Sequence, residues 1–321
     1  MLKVLIRVVV TALLLAWVVF RVDIQQVGSV IRMADGSWLM VGVVVYFVGM
    51  MCAVWRWQIL LHALSITQPF LRVTRLFFVS CFFSMFLPSS IGGDVMRMVL
   101  LTPSMAKREV AVSSVLLDRL IGLAVIIVGG LCAALALPIV RNDPGVMATL
   151  AITATLFILG LAPLFSRPLL SFLLVCLPFG LRSRLHGPVN SVRDSFVSLR
   201  QHPKALFGAI GTSILLQIAV CISVYLAGRA FDIQAGLLIY FALIPIGLAV
   251  TALPITINGL GVQDNVLLLL FSAVGVSATE VVVLSLYMHV LRNGVGVLGG
   301  LLFALPRFSI ASKWFAVDAK P

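Results

Sequence analysis

The chain has 321 residues, of which 61% are apolar and only 11% are charged. A soluble domain of this length needs far more polar surface, so the composition indicates an all-α polytopic membrane protein and argues against a large catalytic module. The formal net charge of +12 would suggest nucleic-acid binding in a soluble protein, but here we attribute it to Lys and Arg that collect in cytoplasmic loops. We therefore expect neither enzymatic activity nor a nucleic-acid partner.

The first apolar segment, at residues 4–20, resembles a secretory signal because Lys3 and Arg7 lie near its start. The sequence WVVFR at its end, however, offers no small-residue cleavage site. We therefore predict an uncleaved first span in a multi-pass protein of a bacterial cytoplasmic (inner or plasma) membrane.

Six segments are long and apolar enough to span a bilayer, which requires about 20 residues. They lie at roughly 4–20, 38–60, 110–138, 146–165, 205–227 and 280–305. Two further apolar regions, at about 70–105 and 235–276, are interrupted near the middle. The interrupting residues are Pro88, Gly92 and Gly93 in the first region, and Pro254, Gly259 and Gly261 in the second.

Each interrupted region could form two full spans or one re-entrant hairpin. If both regions are hairpins and the N-terminus is cytoplasmic, only four basic residues lie in translocated loops, namely Arg21, Arg32, Arg141 and Arg229. Because Lys and Arg collect in cytoplasmic loops, this distribution favours hairpins. The half-segments near 95–105 and 265–276 are also too short to cross. We predict two hairpins that enter from opposite sides, within inverted repeats at approximately 38–138 and 205–305. One integral domain, 1–321, would then have both termini in the cytoplasm.

The two interruptions share a pattern, LPSSIGGDVMR at 87–97 and LPITINGLGVQD at 253–264. Broken backbone at membrane depth is tolerated only where protein buries it or a watery cavity bathes it. Paired interruptions in two halves of a chain point to a transporter's substrate site. The candidate substrate-binding residues are Asp94, Arg97, Asp118, Arg119, Asn258, Asp264 and Arg292.

Each candidate has a structural alternative. Asp94 and Asp264 could cap the outgoing half-helices or contact a cationic headgroup or a coupled proton. Asp118 and Arg119 could form a local ion pair. Arg292 is about the thirteenth residue of its span, where a charge costs roughly 2.5–3.5 kcal/mol. We expect Arg292 to face the cavity and to meet Asp264 or a lipid phosphate.

Other polar residues carry weaker signals. Gln217 and His289 lie at depth, and we expect an interhelical hydrogen bond for each. The five Cys residues lie in apolar runs and the four His residues are scattered. Neither pattern predicts a disulfide, a metal site or a cofactor.

Residues 166–204 contain an apolar run, 169–181, that is too short to span, followed by a helical apolar face. We predict an interfacial element on the cytoplasmic leaflet. Arginines within it would contact anionic headgroups, and these are Arg182, Arg184, Arg193 and Arg200. Arg56 is a further candidate for cytoplasmic headgroup contact. A positive-inside anchor without specific lipid contacts is the alternative.

Several short motifs occur in a specific order along the chain. They are Trp55-Arg56-Trp57, Leu87-Pro88, Ile91-Gly92-Gly93-Asp94 with Arg97, Asp118-Arg119, and Pro254 with Asn258-Gly259-Leu260-Gly261-Val262. In this order they resemble the lysylphosphatidylglycerol synthase transmembrane domain family of flippase-like membrane proteins, over nearly the whole chain. The family pattern favours Arg-Glu where this chain has Gln263-Asp264.

Family members with a fused aminoacyl-transferring domain make and export aminoacylated lipid. Because this sequence stops at Pro321, we expect a stand-alone member without synthase activity. The resemblance implies a flippase that moves an anionic or aminoacylated phospholipid, or another lipid-linked amphiphile. An accessory subunit of a lipid-modifying enzyme or glycosyltransferase is the alternative, and a homo-oligomer is compatible with both. An intramembrane aspartyl protease is a remote alternative, because such enzymes share a Gly-x-Gly-Asp motif that neither aspartate completes: position 91 is Ile, and Gly261 lies three residues before Asp264.

Overall fold

A computed structural model of the chain describes residues 2–20, 22, 24–86, 92–101, 108–165, 193–197, 199, 201–251 and 259–305. These ranges contain helices and turns and no β-strand, which confirms the predicted all-helical class. The helices are α1 (Leu2–Phe20), α2 (Ile24–Met33), α3 (Gly36–Ala63), α4 (Phe70–Phe86), α5 (Gly92–Leu101), α6 (Arg108–Ala136), α7 (Pro138–Arg141), α8 (Pro144–Phe165), α9 (Pro203–Ala230), α10 (Leu237–Val250), α11 (Val262–Ser272) and α12 (Ala278–Ala304).

In the described part of the chain, four helices, α3, α6, α9 and α12, are both long and apolar enough to cross a bilayer. At 27 to 29 residues each, they are about 40 Å long at 1.5 Å per residue. They confirm four of the predicted spans. The two other predicted spans coincide with α1, of 19 residues, and α8, of 22 residues. The chain is a multi-pass membrane protein.

Both interrupted regions consist of two short helices that contact each other, α4 with α5 and α10 with α11. Their lengths are 17 and 10 residues in the first region, and 14 and 11 in the second. Gly259 and Gly261 have φ of +76° and +79°, in the left-handed region that favours glycine. Helix α11 begins directly after Gly261. Pro88 and Pro254 lie outside the described residues.

The centre of the fold is the pair α3 and α9, which form the most extensive helix contact in the described part of the chain. Small residues let them approach closely, and a Cβ added to Gly49 would lie 2.8 Å from Ala219 Cβ. The hydroxyl of Ser223 donates to the carbonyl oxygen of Gly42 at 2.8 Å.

The two short-helix pairs are held crosswise. Helix α4 packs against α12, and α10 packs against α6, so the first helix of each pair lies on the long helix that follows the other pair. Glycines occupy both contacts. A side chain at Gly299 would overlap the carbonyl of Phe78, and a Cβ at Gly130 would lie 3.0 Å from Pro245 Cβ. This arrangement leaves α5 in contact with α6 and α11 in contact with α12.

Candidate functional site

The first charged group is centred on Asp118 of α6, which is 2% exposed. Arg56 Nε of α3 donates to Asp118 Oδ1 at 2.6 Å, and Arg97 Nη1 and Nη2 of α5 lie 3.1 and 3.2 Å from Oδ2. Arg56 and Arg97 are 7% and 5% exposed. Buried charges persist only when they are paired and hydrogen-bonded. This trio therefore joins three helices at one carboxylate.

Aromatic and hydroxyl groups hold the two guanidinium groups in place. The guanidinium carbon of Arg97 lies 4.0 Å from the ring centroid of Trp57 and 4.8 Å from that of Phe77, within range for cation–π attraction. Trp57 Nε1 donates to Ser114 Oγ at 3.4 Å. Arg56 Nη1 donates to Ser213 Oγ of α9 at 3.1 Å. The trio is thus a rigid element of the helix packing.

Asp94 extends this group toward the surface. It is the third residue of α5, and its carboxylate pairs with Arg119 of α6, while Arg97 Nη1 lies 3.9 Å from its Oδ1. The Arg119 side chain is 36% exposed against 9% for that of Asp94. Three arginines therefore face two aspartates, and the most accessible member of the group is a cation.

Close helix packing explains the glycines before Asp94. Gly93 is buried, and a side chain there would overlap the Ser84 side chain and the Ser80 carbonyl. Helix α5 can therefore lie directly on α4, which places Asp94 and Arg97 against α6. The alternative of a local ion pair between Asp118 and Arg119 is not what the structure has, because Arg119 pairs with Asp94. Asp118 pairs with Arg56 and Arg97 instead.

The second charged group is centred on Asp264 of α11, which is 5% exposed. Its Oδ2 accepts from the backbone N–H of Gly261 at 2.7 Å, so Asp264 does cap its half-helix. Its Oδ1 accepts from the hydroxyl of Ser285 and lies 2.8 Å from His289 Nε2. Both carboxylate oxygens are therefore occupied by donors.

For Arg292 of α12 we expected either Asp264 or a lipid phosphate as the partner. Arg292 does not contact Asp264 directly. Its Nη2 lies 2.6 Å from His289 Nδ1, and its Nη1 lies 3.4 Å from Gln263 Oε1. Because a guanidinium group only donates, His289 Nδ1 must accept, and the imidazole proton is on Nε2, facing Asp264. Three side chains thus form a chain from Asp264 through His289 to Arg292.

The two groups follow the same spacing. In each, an acid in the first turn of the second short helix meets a base 25 residues later in the following long helix. The pairs are Asp94 with Arg119, and Asp264 with His289. Sequence reasoning expected only an interhelical hydrogen bond for His289. That bond forms, but the shared spacing would have singled His289 out as the counterpart of Arg119.

The predicted headgroup contacts have different outcomes. We expected Arg56 to contact headgroups, and this prediction is wrong. The Arg56 side chain is buried against Asp118, where a lipid surface cannot reach it. Arg193 lies 4.0 Å from Asp194, and its side chain is 14% exposed. Arg182, Arg184 and Arg200 lie outside the described residues, as does the candidate substrate-binding residue Asn258.

Two apolar cavities flank the central helix pair. One, of about 600 Å³, lies between α6, α9 and α10 and is lined by Ile121, Ile214, Phe241 and Pro245 among others. The second, of about 570 Å³, lies between α12, α3 and α4 and is lined by Phe47, Thr74, Phe78 and Leu298 among others. Within the described residues, no group of three or more His, Cys, Asp or Glu side chains could hold a metal ion.

Comparison with known protein families places both charged groups within a family match. The family described as "Lysylphosphatidylglycerol synthase TM region" matches residues 4–300, a range that contains both charged groups. A search of curated proteins finds no match.

Proposed function

Since the chain belongs to the lysylphosphatidylglycerol synthase TM-region family, we propose that this membrane lipid-related protein moves a phospholipid or a lipid-linked amphiphile between leaflets. The headgroup passes along the two charged groups while the acyl chains remain in hydrocarbon. The observation that carries this proposal is the excess cation of the first group, where Arg119 is accessible beside buried Asp94.

Charge balance explains why an anionic headgroup suits this site. A charge near the bilayer centre costs roughly 2.5–3.5 kcal/mol on insertion scales, and the first group contains five charged side chains. Asp118 compensates one of its two guanidinium neighbours, and Asp94 compensates a second cation. The group as a whole keeps one net positive charge, and Arg119, as its most exposed member, is the residue at which a phosphate can neutralise that charge.

The proposed path uses an inverted repeat, with α3–α6 as one half and α9–α12 as the other. The crosswise packing of α4 on α12 and of α10 on α6 supports this symmetry, as does the shared 25-residue spacing. In this arrangement the two short-helix pairs are re-entrant hairpins that enter from opposite leaflets of the cytoplasmic membrane, with both termini in the cytoplasm. The apolar cavities at matching positions are suited to acyl chains.

The proposal does not include peptide cleavage. An intramembrane aspartyl protease requires two carboxylates that share a proton. Asp94 is held by Arg119 and Asp264 by His289, so each aspartate has its own base. The proposed substrate is a membrane lipid, with an anionic or aminoacylated phospholipid as the first candidate.

The test is flux of fluorescent phosphatidylglycerol in liposomes containing the purified protein, measured by dithionite quenching. Arg119→Gln should slow flux about tenfold or more, because a hydrogen bond to a charged group contributes about 1.5–3 kcal/mol. Arg119→Lys should recover part of the rate. Arg141→Gln, at an exposed side chain that belongs to neither charged group, is the matched control.

Two outcomes would contradict the proposal. One is a wild-type rate equal to that of protein-free liposomes, which together with co-purification of a lipid-modifying enzyme would favour an accessory role. The other is an Arg119→Gln rate equal to that of Arg141→Gln. Comparison of phosphatidylglycerol with phosphatidylcholine and with an aminoacylated lipid would identify the preferred headgroup charge.

A further inference from the structure

We propose that His289 is a proton-binding site that couples lipid movement to a proton. This inference rests on the proposed function and adds the coupling ion and the residue that binds it. When His289 takes up a proton, Arg292 is released from it and binds the phosphate of an anionic lipid. A proton and an anionic headgroup then move together.

The starting state follows from the hydrogen bonds of the imidazole. Arg292 Nη2 donates to His289 Nδ1 at 2.6 Å, so this nitrogen carries no proton. His289 Nε2 donates to Asp264 Oδ1 at 2.8 Å. His289 is therefore neutral, and the charges of Asp264 and Arg292 at the two ends of the chain cancel.

Proton uptake is incompatible with this contact. The Nδ1 lone pair accepts a proton from a hydronium ion, which leaves a water molecule, and the imidazolium then has N–H donors on both nitrogens. Its new N–H and positive charge face a guanidinium group, which also only donates. The contact between Nδ1 and Nη2 must break, whereas the bond from Nε2 to Asp264 persists and is strengthened by charge.

Arg292 can leave because little else holds it. Its Nη1 has one long contact, at 3.4 Å, with Gln263 Oε1. Its Nε is buried and has no hydrogen-bond partner within the described residues. Release of the guanidinium group leaves one net positive charge in the second group, because the added proton is not compensated there. One phosphate charge restores neutrality.

A proton fits this site better than a metal cation does. Both oxygens of Asp264 already accept from Gly261, Ser285 and His289, so a cation would displace three donors. The unprotonated Nδ1 of His289 is the basic atom that can be freed by movement of a single side chain. Asp264 is thus a positioning residue, and His289 is the residue that binds the proton.

Apart from Asp264, the charged side chain of a packed helix that contacts α12 in the described part of the chain is Arg75 of α4, which donates to the Leu302 carbonyl oxygen at 2.9 Å, ten residues beyond Arg292. Asp264 approaches from α11, and Arg292 and Tyr287 lie on α12 itself. Tyr46 of α3 lies close to Arg292, and Cys81 of α4 lies close to Tyr46. Ser223 of α9 bonds Tyr287. Helix α2 touches α12 near its start, through Gln26 and Thr279. The Tyr, Ser and Cys side chains are uncharged near neutral pH.

The experiment measures flux of fluorescent phosphatidylglycerol in proteoliposomes at about pH 5.5 and about pH 7.5, a range in which an ordinary imidazole changes charge. Lumenal pyranine reports proton uptake at the same time. In the wild type, flux should rise severalfold at the lower pH, with proton movement that depends on lipid. His289→Gln should lose the response to pH. His289→Arg, which copies the permanent charge of Arg119, should also respond no further to pH.

His202→Gln is the matched control, because His202 is exposed at the start of α9, and it should keep the wild-type response. Flux that ignores pH in the wild type, or a pH response that survives in His289→Gln, would overturn this inference and leave the proposed function intact. Absence of lipid flux at every pH would overturn the proposed function and this inference with it.

A second measurement does not depend on flux or on a variant that folds. In protein with ¹⁵N-labelled histidine, NMR at neutral pH should show one imidazole with its proton on Nε2 and an unprotonated Nδ1. The addition of phosphatidylglycerol at lower pH should convert this signal to imidazolium. A proton on Nδ1 at neutral pH would overturn the inference, because Arg292 could not then donate to it.

Discussion

The two charged groups share a backbone plan and differ in their bases. In the first, Asp94 meets Arg119, whose guanidinium group only donates hydrogen bonds. In the second, Asp264 meets His289, whose imidazole both donates and accepts. A guanidinium group lies beside each pair. Arg292 follows Asp264 by the same interval at which Gly122 follows Asp94, and a Cβ at Gly122 would lie 3.0 Å from Arg56 Nη1. Arg56 of α3 thus fills the space left by that glycine.

This difference separates a fixed group from an adjustable one. Asp118, Arg56 and Arg97 are paired, buried and joined to three helices, so their geometry depends on the whole fold. Arg292 is attached mainly through one nitrogen of His289. The proposed function and the proposed proton coupling therefore place one rigid site and one adjustable site on a common framework.

The largest effect expected from this comparison is loss of the Asp118 carboxylate. Asp118→Asn leaves two buried guanidinium groups without a compensating charge, and breaking such a pair costs about 3–5 kcal/mol. Thermal unfolding in detergent should show a marked decrease in Tm. Asp194→Asn, at a carboxylate that is 73% exposed, is the control. Equal Tm values for the two variants would show that the trio is not a structural anchor.

The matching change in the second group should have a smaller effect. Asp264→Asn retains one acceptor oxygen and leaves a neutral imidazole and a hydroxyl, so we expect about 1–3 kcal/mol, the usual loss for an unsatisfied buried group. The same unfolding measurement compares it directly with Asp118→Asn. A decrease in Tm larger than that of Asp118→Asn would reverse the proposed difference between the two groups.

The crosswise helix contacts offer a third comparison. Gly299→Ala should be more destabilising than Gly130→Ala, because the new methyl group meets the Phe78 backbone in the first case and the Pro245 ring, 3.0 Å away, in the second. Overpacking of this kind costs typically about 1–3 kcal/mol. Gly160→Ala on α8, where nothing lies within 4 Å, is the control. The prediction fails if Gly299→Ala unfolds at the control temperature.

The smallest expected effect lies outside the spans, at the start of α3. Asp35 Oδ1 accepts from the N–H and hydroxyl of Ser37 at 2.8 and 2.6 Å, and these bonds lower the pKa of Asp35 below its usual value. Its contribution to stability is therefore complete above the unfolded pKa, near 3.9, and is lost as pH falls through the folded pKa. The small Tm difference between wild type and Asp35→Asn should shrink in acid. A difference that is unchanged below about pH 3 would contradict this assignment.

Much of the helical organisation could be predicted from the sequence. The long spans follow from a local rule, because a run of about 20 apolar residues fits the hydrocarbon thickness. The start of α11 follows from another, because Gly259 and Gly261 have positive φ, which favours glycine and does not continue a regular helix. The capping role of Asp264 could also be predicted from the sequence, because it depends on neighbouring residues. The partners of Asp118 were not, because Arg56 lies 62 residues away and meets it only through the packing of α3 against α6.

Hydrophobic length and the positions of Pro and Gly by themselves determined that this is a multi-pass helical protein with two interrupted regions. These properties depend on contiguous residues and on backbone hydrogen bonding within each segment. Only the tertiary structure decided that Arg56 is buried, that Asp118 and Arg119 have separate partners, and that His289 connects Asp264 to Arg292. Such pairings depend on which helix faces meet, and that is set by small residues at distant contacts such as Gly49, Gly93 and Gly299.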